Sequence, residues 1–380
     1  MKVLLLTDGI TPFVTGGMQK HSYMLVKYLA KQGVKIELHH CVYEGKLPNH
    51  NNLFELEEAQ NIKVIAHCFP TSAKFPGHYV YRSYLYSKQL FENVKNRLGD
   101  FDFIYAKGFT GWKLMQEKEK GLTCPPIGVK FHGYEMYQKA PSFKVKLEHY
   151  LFRPFVKWNT LHADVVFSYG GKITDIISSL GVNIQNIIEV PSGIEEEFIR
   201  DEKELVTNNP ITFCFIGRYE RRKGVEELAS ALKSLVKKNF KFEFHFIGPI
   251  PKEKQLIDKR IIYHGLIRDV ESKKAILDSC DVLVCPSHSE GMPNVILEAM
   301  ARGLAVIATD VGAVKAMVSE KNGHILKPNK ESIHEGISFL IALDKNRLNS
   351  LKKESLAKAK ELHWDVVAFQ LFKKIGEVIS

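Results

Sequence analysis

Two short segments in the second half of the chain carry charged residues at spacings suited to phosphate and hydroxyl chemistry. The first reads Phe215-Ile216-Gly217-Arg218-Tyr219-Glu220-Arg221-Arg222-Lys223-Gly224. An apolar run ends at Gly217, so Arg218 leaves a strand end and Lys223 stands where the next helix begins. A guanidinium fork and an ammonium point charge both suit phosphate oxygens, and together they can neutralise a diphosphate leaving group without a metal. The strand-end argument is weaker for Arg221 and Arg222, which suit a solvated surface. The second segment runs from Ser287 to Met300 and contains Glu290-Gly291-Met292-Pro293-Asn294-Val295. Glu290 lies in a loop and Pro293-Asn294 opens a helix. Free N–H groups near Asn294 and Val295 favour an anion there. Glu298, one turn further on, can accept from both hydroxyls of a ribose, and Glu290 is placed to meet sugar hydroxyls.

The first half of the chain offers two weaker signals. The loop Asp8–Gly17 closes on Gly16-Gly17 at the start of a helix, where glycines let backbone approach a ligand closely. It lacks the GxGxxG spacing of a dinucleotide fingerprint. His132-Gly133 follows another strand. Asp100-Phe101-Asp102 has the form of a metal-binding DxD, but it precedes a strand and reads as a loop. No other carboxylate, His or Cys cluster has metal-ligand character, so neither a metal nor a cofactor is expected.

These residues are positioned by an alternation of short apolar runs and longer amphipathic segments. Val3–Thr7, Val34–His39, Ile62–Ala66, Phe101–Ala106, Ile127–His132 and Val165–Tyr169 read as strands. Met18–Lys31, Tyr79–Arg97, Trp112–Lys120 and Phe143–Leu161 read as helices between them. After Val190-Pro191-Ser192-Gly193 the pattern resets. An acidic, polar stretch, Glu195–Pro210, reads as a linker. Strands Ile211–Gly217, Phe242–Gly248, Ile261–Gly265, Asp281–Pro286 and Leu304–Thr309 then alternate with helices Val225–Lys238, Val270–Ser279 and Asn294–Arg302. The expectation is an α/β protein of two Rossmann-like domains with parallel sheets facing across a cleft. The first would cover residues 1–194 and the second 211–364, with a C-terminal helix, 365–380, packing back on the first.

The length of 380 residues suits two such domains. Net charge is +10, spread over both halves with no polybasic block, which argues against nucleic acid. The six cysteines, Cys41, Cys68, Cys124, Cys214, Cys280 and Cys285, form no CxxC pair and read as buried free thiols of a reducing compartment. The apolar start stops at Thr7-Asp8-Gly9, too short for a signal peptide, and no run approaches a membrane span. A cytoplasmic protein is expected. Pro141–Trp158 mixes basic and aromatic residues along a helix, and Tyr79–Tyr86 is rich in Tyr beside Arg82. The plainer reading is a core helix with a solvated basic face. The functional one is peripheral attachment to an anionic membrane at its inner face.

Gly16-Gly17, His132-Gly133, Gly217-Arg218 with Lys223-Gly224, and Glu290-x7-Glu298 within Glu-Gly-Met-Pro-Asn together resemble the retaining family-4 glycosyltransferases of the GT-B fold, over nearly the whole chain. The resemblance implies transfer of a hexose-type sugar from a nucleotide diphosphate sugar to a glycan or lipid-linked acceptor, as in bacterial surface polysaccharide or glycolipid assembly. It implies that Arg218 and Lys223 hold the donor diphosphate, with Gly217, Gly291, Met292, Pro293, Asn294 and Val295 around it. Glu298 would bind the ribose, Glu290 the donor sugar, and Gly265 and Leu266 would lie near the base. Gly16 and Gly17 would approach phosphate and acceptor, and His132 would lie beside the donor sugar. Uridine and guanosine donors both occur in the family. Met292 stands where an aromatic is usual, and Pro191-Ser192-Gly193-Ile194-Glu195 replaces the common Pro-Asn-Gly-Val-Asp. An epimerase or a non-catalytic nucleotide-sugar binder on the same architecture is disfavoured by the Glu-x7-Glu segment and by Arg218, Lys223, Glu290 and Glu298 occurring together.

Overall fold

A computed structural model describes residues 1–43, 47–73, 75–140 and 142–380. Pro141, at the head of the basic-aromatic stretch, lies outside the described residues. The chain divides into two compact units. Unit 1 comprises Met1–Tyr137, Lys144–Ser192 and Trp364–Ser380; unit 2 comprises Gln138–Phe143 and Gly193–His363.

In unit 1 the chain runs β1 (Lys2–Leu6), α1 (Gly17–Lys31), β2 (Lys35–Val42), α2 (Leu56–Ala59), β3 (Ile62–Cys68), α3 (His78–Val94), β4 (Phe103–Lys107), α4 (Trp112–Glu119), β5 (Ile127–Lys130), α5 (Phe143–Leu161), β6 (Val165–Ser168), α6 (Lys172–Ser179) and β7 (Ile187–Glu189). Among the described residues these strands form a seven-stranded sheet in the order β3-β2-β1-β4-β5-β6-β7. Every pairing is parallel, with Val3–Leu6 opposite Phe103–Ala106 at its centre. Because alternate side chains leave opposite faces, one β1 set (Leu4, Leu6) enters one apolar core and the other (Val3, Leu5) enters the second.

Unit 2 runs β8 (Thr212–Ile216), α7 (Val225–Lys237), β9 (Glu243–Ile247), β10 (Ile261–Gly265), α8 (Val270–Asp278), β11 (Val282–Cys285), α9 (Asn294–Ala301), β12 (Ala305–Thr309), α10 (Val314–Met317), β13 (Gly323–Leu326), α11 (Lys330–Ile341) and α12 (Lys345–Glu361). Its six strands are again parallel, ordered β10-β9-β8-β11-β12-β13. Helix α7 buries Val225, Leu228, Ala231, Leu232 and Leu235, one stripe at helical spacing. β11 pairs with β8 only at Val282–Leu283, whereas β8 stays paired with β9 through Ile216. The β8–β11 ladder therefore ends before the strands do, at the point where strand order reverses.

Three expectations need correction. The stretch read as a linker, Glu195–Pro210, is packed on unit 2. Phe198 is buried there, and the N–H and amide of Asn208 donate to the Asp281 carboxylate. Asp281 also accepts from Thr212 N at 3.0 Å and from Lys352 Nζ at 2.8 Å, so one buried carboxylate ties the strap, β8 and α12 together. The chain passes between the units at Tyr137–Gln138, Phe143–Lys144, Ser192–Gly193 and His363–Trp364. The cysteines are free, but only Cys41, Cys214, Cys280 and Cys285 are buried; Cys124 is half-buried and Cys68 exposed. Helix α13 (Trp364–Ile379) begins one residue earlier than expected, and it packs within unit 1 against α1.

That last docking rests on Trp364, which is buried, stacks on Tyr28 at 6.0 Å and meets the edge of His21 at 5.3 Å. Trp364→Ala leaves a ring-sized void in this seam and is expected to lower stability by ~3–5 kcal/mol. Urea denaturation followed by circular dichroism measures it; an unchanged midpoint would show that α13 does not hold unit 1 together.

Candidate active site

In an open parallel sheet, ligands bind beyond the carboxyl ends of the strands where strand order reverses. In unit 2 that point lies between β8 and β11. The loops leaving these two strands are the two segments whose residue types suggested phosphate and hydroxyl chemistry.

Glycine permits their close approach. Gly224 has φ +68°, and a Cβ on it would lie 2.0 Å from the Pro286 carbonyl oxygen. Only a glycine lets the Arg221–Lys223 turn sit against the end of β11. His288 N donates to Arg222 O at 2.7 Å across the same seam. On the other side of the loop Gly312, φ +52°, lies where a Cβ would strike the carbonyls of Gly291 and Glu290.

The consequence is a compact ionic cluster. Lys223 Nζ donates to Glu290 Oε1 at 2.6 Å, Ser287 Oγ to the same oxygen at 2.8 Å, and Arg222 Nη1 reaches Glu290 Oε2 at 3.4 Å. Glu290 is 8% exposed and Lys223 16%. Arg222 Nε donates to Glu220 at 2.9 Å, and Arg218 Nη2 pairs with the other Glu220 oxygen at 2.8 Å. Arg218, at 70% exposure, is the open end of the cluster. An ammonium has three donors, and Lys223 uses one of them on Glu290.

Asn294 begins α9, which has no side-chain cap and no acid in its first turn. Such a helix end favours an anion. Asn294, Val295 and Glu298 are half-exposed, whereas Gly291, Met292 and Pro293 are buried. Met292 thus helps to fold the loop, and its side chain is not displayed to a ligand. Glu298 Oε1 accepts from Lys273 Nζ of α8 at 2.8 Å. Gly217 continues the β8–β9 ladder, its N–H donating to Ile247 O at 2.9 Å. Gly265 ends β10, one of the two edge strands, and Leu266 after it is exposed.

The structure therefore brings Lys223 and Glu290 into direct contact, with Arg218 one residue pair away. It also adds partners that the sequence reading missed. Arg222 is part of the cluster, not of a solvated surface. Glu220, Ser287 and Lys273 hold the expected residues in place. Strand-end position was the available signal for Ser287; nothing local in the sequence marks Lys273, which arrives from another helix.

In unit 1 the order reverses between β1 and β4, and the strand-end residues line a cavity of about 290 Å³. Asp8 follows β1, Lys107 ends β4 and His132 follows β5; all three line it. Lys107 Nζ donates to Ser22 Oγ at 2.7 Å and to Met18 O at 3.2 Å, which anchors the first turn of α1 just after Gly16-Gly17. Gly16 is the α1 N-cap and, like Gly17, is exposed. Burial brings the Lys107 ammonium down to about 8 despite the counteracting Asp8. Burial likewise raises Asp8, with Lys107 opposing. His132 Nδ1 lies 3.0 Å from the Tyr169 hydroxyl, and the Lys130 ammonium sits 3.9 Å from the centre of the Tyr169 ring. Asp102 of the DxD accepts from Lys2 N at 2.7 Å, at the start of β1. Among the described residues no three or more His, Cys, Asp or Glu gather as metal ligands would.

Comparison with known proteins gives a consistent picture. Residues 15–198 match the family described as Glycosyltransferase Family 4, and residues 210–342 the one described as Glycosyl transferases group 1. An uncharacterized glycosyltransferase of Methanocaldococcus jannaschii is 26% identical over 100% of this chain and 99% of its own. The N,N'-diacetylbacillosaminyl-diphospho-undecaprenol alpha-1,3-N-acetylgalactosaminyltransferase of Campylobacter jejuni is 27% identical over 62% of this chain and 63% of its own. Among solved structures, sucrose-phosphate synthase from Thermosynechococcus elongatus aligns with a TM-score of 0.77 at 18% identity, covering 99% and 98% of the two chains. Anabaena HepE, solved in complex with UDP and glucose, aligns with a TM-score of 0.68 at 15% identity, covering 99% and 100%.

Two expectations follow from the geometry. Gly224→Ala combines a left-handed backbone with a clash on Pro286, so it should lower stability by about 1–3 kcal/mol in thermal denaturation; wild-type melting would mean that the turn does not press on β11. For Lys107, the folded ammonium titrates below its ordinary value. Its destabilising effect is full below about pH 8 and fades as pH rises toward 10.5. The melting temperature of wild type minus that of Lys107→Met should therefore increase between about pH 8 and pH 10; a flat difference would overturn the shift.

Proposed function

The chain belongs to the group 1, family-4 glycosyltransferases of the GT-B fold, and from that premise we propose a specific reaction. It moves a hexose-type sugar from a nucleotide diphosphate donor to a glycan or lipid-linked acceptor, with retention and without a metal, in surface polysaccharide or glycolipid assembly. The observation that carries this reading is the cluster at the ends of β8 and β11. Arg218, Arg222 and Lys223 meet Glu290 and Glu220 there, beside the uncapped start of α9.

On this reading the diphosphate lies on Arg218, Lys223 and the α9 N–H groups, and Glu298 takes the ribose hydroxyls. The bond from the anomeric carbon to the phosphate oxygen breaks with its electron pair leaving on the phosphate. Fixed positive charge stabilises that developing negative charge, as in an oxyanion hole. The acceptor oxygen bonds to the same face of the sugar, and its proton passes to the departing phosphate oxygen. Glu290 orients the donor sugar hydroxyls. Within unit 1, His132 and the Gly16-Gly17 backbone are the residues that the resemblance assigns to acceptor and donor. Support for the substrate class comes from two comparisons: the Campylobacter relative is named for a diphospho-undecaprenol acceptor, and HepE was solved with UDP and glucose.

A thermal-shift series with UDP, GDP and dTDP, with and without EDTA, tests the donor site. A nucleotide at 100 times its Kd should add ~2.7 kcal/mol of stability, unaltered by EDTA. No shift with any nucleotide, or a shift abolished by EDTA, would overturn the metal-free site. Arg218→Ala should lower turnover on the order of a hundredfold. Product with inverted anomeric configuration, seen by NMR, would refute retention.

A further inference from the structure

Unit 1 carries a second, larger concavity that the transfer reaction does not use. It is a groove of about 1070 Å³ between α3 and α5, floored by Trp112 of α4. Tyr81, Tyr84, Leu147, Leu151 and Phe155 line it. Several of these are unusually exposed for their type: Leu147 at 58%, Tyr81 and Leu151 at 49%, Phe155 at 38%. Contiguous apolar surface of this kind marks a binding face more often than plain solvent-facing surface.

Two further facts say what would cover it. First, the groove adjoins the smaller cavity across a shared wall. Tyr79 and Phe152 line both, with ring centres 6.0 Å apart. The smaller cavity presents Asp8, Lys107, His132, Glu135 and His149 among apolar walls. The two adjoining spaces are thus polar at the strand ends and apolar along the helices. Second, α5 is basic overall: Lys144, Lys146, Arg153 and Lys157 stand against the one acid Glu148, and Lys144 and Glu148 both line the groove. The matching ligand is an amphiphile with a polar, anionic head and one long apolar chain.

We propose that the α3–α5 groove holds the hydrocarbon chain of a phosphate-bearing lipid-linked acceptor whose polar head enters the adjoining cavity. This rests on the transferase reading and narrows its acceptor from glycan or lipid to lipid. The chain lies against Trp112, Leu147, Leu151 and Phe155, where burying methylene groups supplies the affinity. Lys107 and Lys130, which line that cavity, meet the phosphate, and the basic α5 adds long-range attraction.

The test uses the full chain and monomeric farnesyl phosphate, with inorganic phosphate as the head-only control and Trp fluorescence as the readout. Saturable binding of farnesyl phosphate, absent with inorganic phosphate, is expected. The double variant Leu147→Glu, Leu151→Glu changes exposed side chains only, and it should weaken that binding by roughly tenfold or more. Equal binding of the variant, or no preference over inorganic phosphate, overturns the groove. Flotation with phosphatidylglycerol vesicles without saturable binding of the monomeric probe overturns it too, and makes the face a bilayer-docking surface. Nucleotide thermal shift on the same samples separates the two readings. If nucleotide stabilises both proteins and the probe binds neither, the groove fails alone. If the probe binds and no nucleotide does, the donor site fails and the groove stands as a lipid site only.

Discussion

Parallel strands cannot be joined by a tight turn, and everything functional in this chain follows from that constraint. Each connection must cross the sheet, through a helix in nearly every case here, so every strand delivers its carboxyl end to the same edge. Where the order reverses, at β1/β4 and at β8/β11, neighbouring connections leave in opposite directions and open a crevice. The β8–β11 ladder stops at Cys214–Leu283, short of both strand ends. Arg218 and Glu290 are therefore on the rims of a gap that the topology makes, and the same holds for Asp8 and Lys107 in unit 1.

What fills the gap depends on backbone touching backbone. Gly224 against Pro286 and Gly312 against Gly291 leave no room for a methyl group. They bring three cations within reach of two carboxylates. Like charges so close would repel strongly in a half-buried site, and removing one partner would leave a neighbour uncompensated. Glu290 answers this by accepting from Lys223, Arg222 and Ser287 together, and Glu220 by bridging Arg222 and Arg218.

The strands that sit inside a sheet were legible because both faces are buried and the residues are apolar throughout, as in Val282–Cys285. β7 and β13 were not, because they are short edge strands with little apolar pattern: Ile187–Glu189 exposes two of its three residues in part or whole, and Gly323–Leu326 opens on a glycine and includes an exposed His324, whereas the longer edge strands β3 and β10 still read as apolar runs. The strap Glu195–Pro210 looked like a linker because it is acidic and polar. What binds it to unit 2 is a carboxylate more than seventy positions away, Asp281, taking the amide of Asn208. The candidate site was legible to the extent that strand ends are. Arg218, Lys223, Glu290 and Glu298 could be picked by position. Arg222 and Lys273 could not, since their partners come from other loops and helices.

The cluster also distinguishes its two main cations. A surface ion pair contributes about 0–1 kcal/mol, because water solvates both partners nearly as well when they separate. Arg218–Glu220 is such a pair, with 70% and 30% exposure. Lys223–Glu290, at 16% and 8%, is not, and breaking it would strand a charge in a poorly solvated place. An arriving diphosphate can therefore draw Arg218 off Glu220 at little cost, while Lys223 stays on Glu290 and offers its other donors from a fixed position. On the proposed reaction this divides the work: Arg218 is the mobile clamp that recognises the anion, and Lys223 is the preorganised charge whose position does not have to change as negative charge develops on the leaving phosphate.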